Sequence, residues 1–74
     1  MDEVNFLKFI VENIVSNKEA VNIVKTDDEL GTLLTLSVDK ADMSIIGKNN
    51  INSIRSLLRL YVKANKRINL KVLD

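Results

Sequence analysis

A row of cations in the second half of this chain is spaced to hold a polyanion. Arg55, Arg59 and Lys63 follow one another at four-residue intervals, and Lys66 or Arg67 comes about one turn later. On a helix, residues so spaced form a single stripe. Lys48 stands just ahead of them, within Gly47-Lys48-Asn49-Asn50. If a helix starts after that tetrapeptide, its first N–H groups lack partners and its dipole is positive there, which favours phosphate. Glycine at 47 admits a conformation, and a closeness of approach, that a Cβ would block. These residue types bind a backbone of phosphates; they do not compose a catalytic centre.

The rest of the composition agrees. The chain has no histidine and no cysteine, so the commonest general base, disulfides and thiolate metal sites are excluded. Its acids fall at a turn and at helix starts, where capping and solubility account for them. Asp27-Asp28-Glu29 is the nearest approach to a cation site, but it lacks the ligand spacing of a calcium loop. Neither a metal nor a cofactor is expected. The chain has no tryptophan, and both phenylalanines, Phe6 and Phe9, sit near its start. A sheet that stacks bases on aromatic rings is therefore not expected.

Charge is split between the two halves. Residues 1–42 hold nine acids against four lysines, a net of −5, whereas residues 43–74 hold seven bases against Asp74, a net of +6. A solvated basic helix face is the plainer reading of those cations; the split itself points to a polyanionic partner. No apolar run approaches the ~18 residues that span a bilayer. Asp2 and Glu3 are unlike the start of a signal peptide. The expectation is one soluble, cytoplasmic domain over residues 1–74.

Elements must position these groups. Asp2 can cap a helix whose apolar stripe is Val4, Phe6, Leu7, Ile10, Val11, Ile14 and Val15, with Glu3, Lys8, Glu12 and Asn13 opposite. The β-branched run Ala20–Lys25 predicts a strand, Thr26–Gly31 an acidic turn, and Thr32–Val38 a second strand with Leu34, Leu36 and Val38 on its buried face. Asp39 can cap a short helix, Lys40–Ile46, which Gly47 interrupts. A longer helix is expected over Ile51–Ala64, capped by Asn49 or Asn50. Arg67–Leu73 alternates as a last strand. The order α-β-β-α-α-β predicts a two-layer α/β sandwich, a three-stranded sheet with helices on one face. Its other face, with Asn22, Thr35, Ser37, Asn69 and Lys71, should be wet.

In this order of elements, Ser37-Val38-Asp39, Asp42-Met43, Ile45-Ile46-Gly47-Lys48 and Ile51-x-x-Ile54-Arg55 resemble the small bacterial KH RNA-binding proteins of the KhpA (YlqC-like) family, over essentially the whole chain. The resemblance implies a type II KH fold and a single-stranded RNA partner. It further implies an RNA-chaperone type of activity and pairing with itself or with a larger KH-containing RNA-binding protein. KH domains clamp about four nucleotides at a Gly-x-x-Gly loop between two helices. Carried over, Gly47 matches the first glycine, Lys48 and Asn49 the variable positions, Ile45 and Ile46 the preceding apolar pair, and Arg55 the arginine of the following helix. The departures depend on the alignment. Aligned on the loop, Asn50 occupies the place of the second glycine and the helix loses its register; aligned on the following helix, the loop is two residues short and lacks that glycine. The glycine that usually follows the Asp-Met pair is also missing, Met43 running directly into Ser44. The expected RNA-binding set is thus Ile46, Gly47, Lys48, Asn49, Asn50, Arg55 and Arg59. Two alternatives accompany it: a degenerate KH domain serving as a protein-interaction module, and a ribosome-assembly factor resembling ribosome-binding factor A, in which a kinked helix pair replaces the glycine loop.

Overall fold

The computed structural model describes residues 2–62 and 67–73. Its elements are α1 (Glu3–Glu12), β1 (Asn22–Asp28), β2 (Gly31–Ser37), α2 (Met43–Ile46), α3 (Lys48–Val62) and β3 (Ile68–Val72), with 3₁₀ turns at Lys18–Ala20 and Lys40–Asp42. The sheet order is β1-β2-β3, with β1 antiparallel and β3 parallel to β2. Helices α1 and α3 pack on each other, α1 against β1 and α3 against β3. This is the expected KH-like two-layer α+β arrangement.

Alternation decides which face the helices cover. Leu34 and Leu36 of β2 and Ile68 and Leu70 of β3 point inward, where they meet Leu7 and Val11 of α1, Ile46 of α2, and Ile54 and Leu58 of α3. Asn22, Asn69 and Lys71 lie exposed on the outward face, with Thr35 and Ser37 partly covered. Asp2 caps α1 as expected, its carboxylate accepting from Asn5 N at 2.8 Å.

Several boundaries differ from expectation. Strand β1 runs on to Asp28, so the acidic turn shrinks to Glu29-Leu30 between the paired residues Asp28 and Gly31. Gly31 makes this possible with φ +134°, and a Cβ there would lie 2.4 Å from the Arg67 carbonyl oxygen. The hairpin acids are partnered: Asp27 accepts from Thr32 Oγ1 at 2.5 Å and Asp28 from Leu30 N at 2.8 Å. Glu3, read from helical periodicity as a solvent-side residue, is only 8% exposed and pairs with Lys25 Nζ at 2.8 Å. The pairing lets a carboxylate lie beneath the sheet edge; the Glu3 hydrogen bond is also the main cause of a raised Lys25 pKa.

Asp42 does the most to orient α2. It is 1% exposed, and its two oxygens each accept a backbone N–H, from Ser16 and Asn17, at 3.0 Å. The chain leaving α1 is thereby fixed to the start of α2. Asp39 caps the intervening 3₁₀ turn through Ala41 N at 3.0 Å and also accepts from the Asn17 side chain at 2.9 Å. Those two hydrogen bonds, the Asn17 one first, hold the Asp39 carboxyl below its ordinary pKa.

Candidate functional site

The corner at Gly47 is tighter than the sequence implies. Helix α3 starts at Lys48, not near Ile51, so only Gly47 separates it from α2. Lys48, Asn49 and Asn50 form the first turn of α3, and neither asparagine stands outside the helix as a cap. The Gly47 carbonyl accepts from Ile51 N at 3.1 Å, while Gly47 N reaches Ser44 O at 3.3 Å. The Asn50 side chain turns back and donates to Ile45 O. Gly47 itself has φ −45° and ψ −172°, outside the left-handed region. What a side chain would meet here is the Ser44 carbonyl oxygen, 3.1 Å from an added Cβ. With only Gly47 between the two helices, no four-residue loop bulges out, and the helix absorbs the polar residues.

A groove opens beside this corner. Met43 and Ile46 of α2, Gly47, and Ile51 and Arg55 of α3 form one wall; Leu70, Lys71 and Val72 of β3 form the other. Its volume is about 380 Å³, within the size range of small-ligand sites. Of the expected residues, Ile46, Gly47 and Arg55 line it. Asn50 is exposed and occupied with Ile45 O. Arg59 lies one turn beyond Arg55 on α3, exposed and outside the lining. The side chains of Lys48 and Asn49 lie outside the described set, as do Lys63 and Lys66 of the expected stripe.

The β3 wall is an open strand edge. Thr32 N donates to Arg67 O, and Leu73 N to Leu36 O, both at 2.9 Å. With the parallel register Thr32↔Ile68 and Leu36↔Val72, the odd-numbered residues of β3 therefore bond to β2. Ile68, Leu70 and Val72 turn their N–H and C=O groups toward the groove side. Arg55 meets this edge directly, Nη2 donating to Leu70 O at 3.1 Å and Nη1 to Asn52 Oδ1 at 3.4 Å. The groove thus combines an apolar wall, backbone donors and acceptors, two cations and the N-terminus of a long helix.

Met43, Ile51, Leu70, Lys71 and Val72 were absent from the expected set. Lys71 carried a signal, being a cation on the outward face of a predicted strand. Met43 and Ile51 lie in the local segments that carry the resemblance; Leu70 and Val72 could be found only from the sheet order, since nothing local in the sequence says which strand lies at the edge beside α3.

No protein-family model matches the chain, and no solved structure matches it. Among curated proteins, the RNA-binding protein KhpA of Borreliella burgdorferi is 32% identical over 77 residues, covering 99% of this chain and 94% of that protein. Identity at this level over nearly the full length of both proteins settles the relationship: the chain belongs to the KhpA family.

Proposed function

We propose that this protein is a non-catalytic RNA-binding protein that holds single-stranded RNA in the groove between the α2–Gly47–α3 corner and the open edge of β3. The observation that carries the reading is the meeting of three features in one groove: an apolar wall, a strand edge that no further strand covers among the described residues, and cations. Phosphates would lie at the start of α3, because the first N–H groups of a helix lack intrahelical partners and its dipole is positive there, with Lys48 and Asn49 beside them and Asn50 closing the turn. Bases would lie on Ile46, Gly47 and Ile51, their edges reaching the outward N–H and C=O groups of β3. Arg55 braces the β3 edge, and Arg59 draws the strand in from outside. The relative's RNA-binding name and the +6 charge of residues 43–74 support the same reading. Titration of a short single-stranded RNA against the wild type and Lys48→Asp tests it. Tight wild-type binding that weakens with salt, and at least tenfold weaker binding by the variant, is expected; equal binding by both would refute the phosphate role.

A second reading rests on the outer helical face. Phe6 and Tyr61 stack with ring centroids 4.1 Å apart, joining α1 to α3. Around that pair, Phe9 is 59%, Leu57 46% and Leu60 76% exposed. Such an apolar face suits pairing with a second copy or with a KH-containing partner. Sedimentation of the wild type and Leu60→Lys separates the readings: a dimer that the substitution dissolves, with RNA binding intact, makes this face the protein interface. The one-residue break between α2 and α3 is also what the ribosome-assembly alternative implies. Co-sedimentation with small ribosomal subunits in the absence of binding to free RNA would favour it.

A further inference from the structure

The groove described above accounts for one side of β3 and leaves its outward face unused. That face carries Arg67, Asn69 and Lys71, all exposed, at every second residue. Every second residue on a strand is ~6.6 Å along its axis, close to the separation of successive phosphates in an extended single strand. Lys71 belongs to both places, since it lines the groove and also leads this row. Arg67 and Asn69 line a separate hollow of about 270 Å³ at the far end, beside Leu30, Gly31, Leu33 and Asp28. The register Leu33↔Asn69 and Thr35↔Lys71 leaves only short or apolar neighbours along the row on β2, so no acid there competes with a phosphate. Among the described residues, Arg67 and Lys71 have no ion pair.

We infer that the outward face of β3 is a second stretch of RNA-binding surface, continuous with the groove through Lys71 and ending at Arg67. The inference rests on the groove reading and extends it. A strand leaving the groove crosses the β3 edge at Lys71, and its next phosphates take Asn69 and Arg67. Leu30, which is 74% exposed, and Leu33 offer an apolar surface for one base in the hollow at the end. The track stops there for an electrostatic reason: Asp28 lines the same hollow, and Asp27 and Glu29 adjoin it in the hairpin, so a further phosphate would be repelled. Four nucleotides in the groove and two beyond it along β3, at Asn69 and Arg67, give a site of about six.

The test compares an RNA tetranucleotide with an octanucleotide on the wild-type chain and on Arg67→Ala, by fluorescence anisotropy over a range of salt. Because Arg67 is exposed and its structural hydrogen bond is made by its backbone carbonyl, the substitution leaves the fold intact. Its melting curve checks this. Expected are an octamer affinity about tenfold lower in Arg67→Ala, a tetramer affinity changed less than twofold, and an octamer salt slope shallower by about 0.7, one phosphate contact on a single strand. An octamer affinity unchanged in Arg67→Ala, or a loss equal for both lengths, would overturn the track while leaving the groove. Failure of the wild type to bind either oligonucleotide would overturn the groove reading itself.

Discussion

Replacing Asp42 by Asn changes one oxygen to an amide NH₂ and leaves shape and volume almost untouched. In the native domain both carboxylate oxygens accept backbone N–H groups at 3.0 Å, and the residue is 1% exposed. In Asp42→Asn one of these acceptors becomes a donor facing the N–H of Ser16 or Asn17. A hydrogen bond to a charged group contributes about 1.5–3 kcal/mol, and burying a donor without an acceptor costs about 1–3 kcal/mol. The variant should therefore lose about 2–4 kcal/mol. A domain of this length has about 4–11 kcal/mol in total, so the loss is a large share of its stability. At about 4–8 °C per kcal/mol, the melting temperature should fall by about 8–30 °C. Urea unfolding followed by circular dichroism measures it, with a lower midpoint and an unchanged slope. Asp39→Asn is the control: it replaces the same kind of acceptor at an exposed turn, where asparagine caps as well as aspartate, and should cost far less. A loss below about 0.5 kcal/mol for Asp42→Asn, or equal losses at the two sites, would refute the argument that burial makes Asp42 the anchor of α2.

Gly31→Ala should destabilise the domain by at least about 1–3 kcal/mol, because φ +134° is strained for alanine and its Cβ would meet the Arg67 backbone; a melting curve reads this out. The Glu3–Lys25 pair gives a signed pH dependence. The folded pKa of Lys25 is raised, so its contribution is complete below the unfolded value of about 10.4 and is lost as the pH climbs through the folded one; Glu3→Gln should flatten the stability curve in that alkaline window. Asp39 runs the other way, its lowered pKa adding stability above about 3.9 that disappears as the pH falls through the folded value, and Asp39→Asn should remove that acid limb. Inserting Gly-Lys after Asn49 lengthens the corner and should raise RNA affinity, as a titration beside the wild type would show.

Much of this fold was legible because its signals are periodic. The alternation of Leu34, Leu36, Ile68 and Leu70 and the helical stripe of Leu7, Val11, Ile54 and Leu58 each announce one buried face. Glu3 was misplaced because periodicity is blind to pairing: a carboxylate with a lysine 22 positions away can occupy a buried place. The first turn of α3 was missed because asparagine and glycine read equally as loop and as helix start, and chain length decided between them. At the site, Ile46, Gly47 and Arg55 were visible in local sequence. The β3 wall was not, since parallel pairing of β3 with β2 is a long-range choice that no short motif states.

The central claim is that a groove bounded by the α3 N-terminus and the β3 edge binds single-stranded RNA through its phosphates. The most direct test is the salt dependence of octanucleotide binding by the wild type, beside Lys48→Asp. With Lys48 and Lys71 as groove contacts and Arg67 as the added one, log K should fall with log salt at a slope of about −2, and the Lys48 substitution should make that slope shallower by about 0.7 or more. A slope near zero, or one that Lys48→Asp leaves unchanged, would contradict the account.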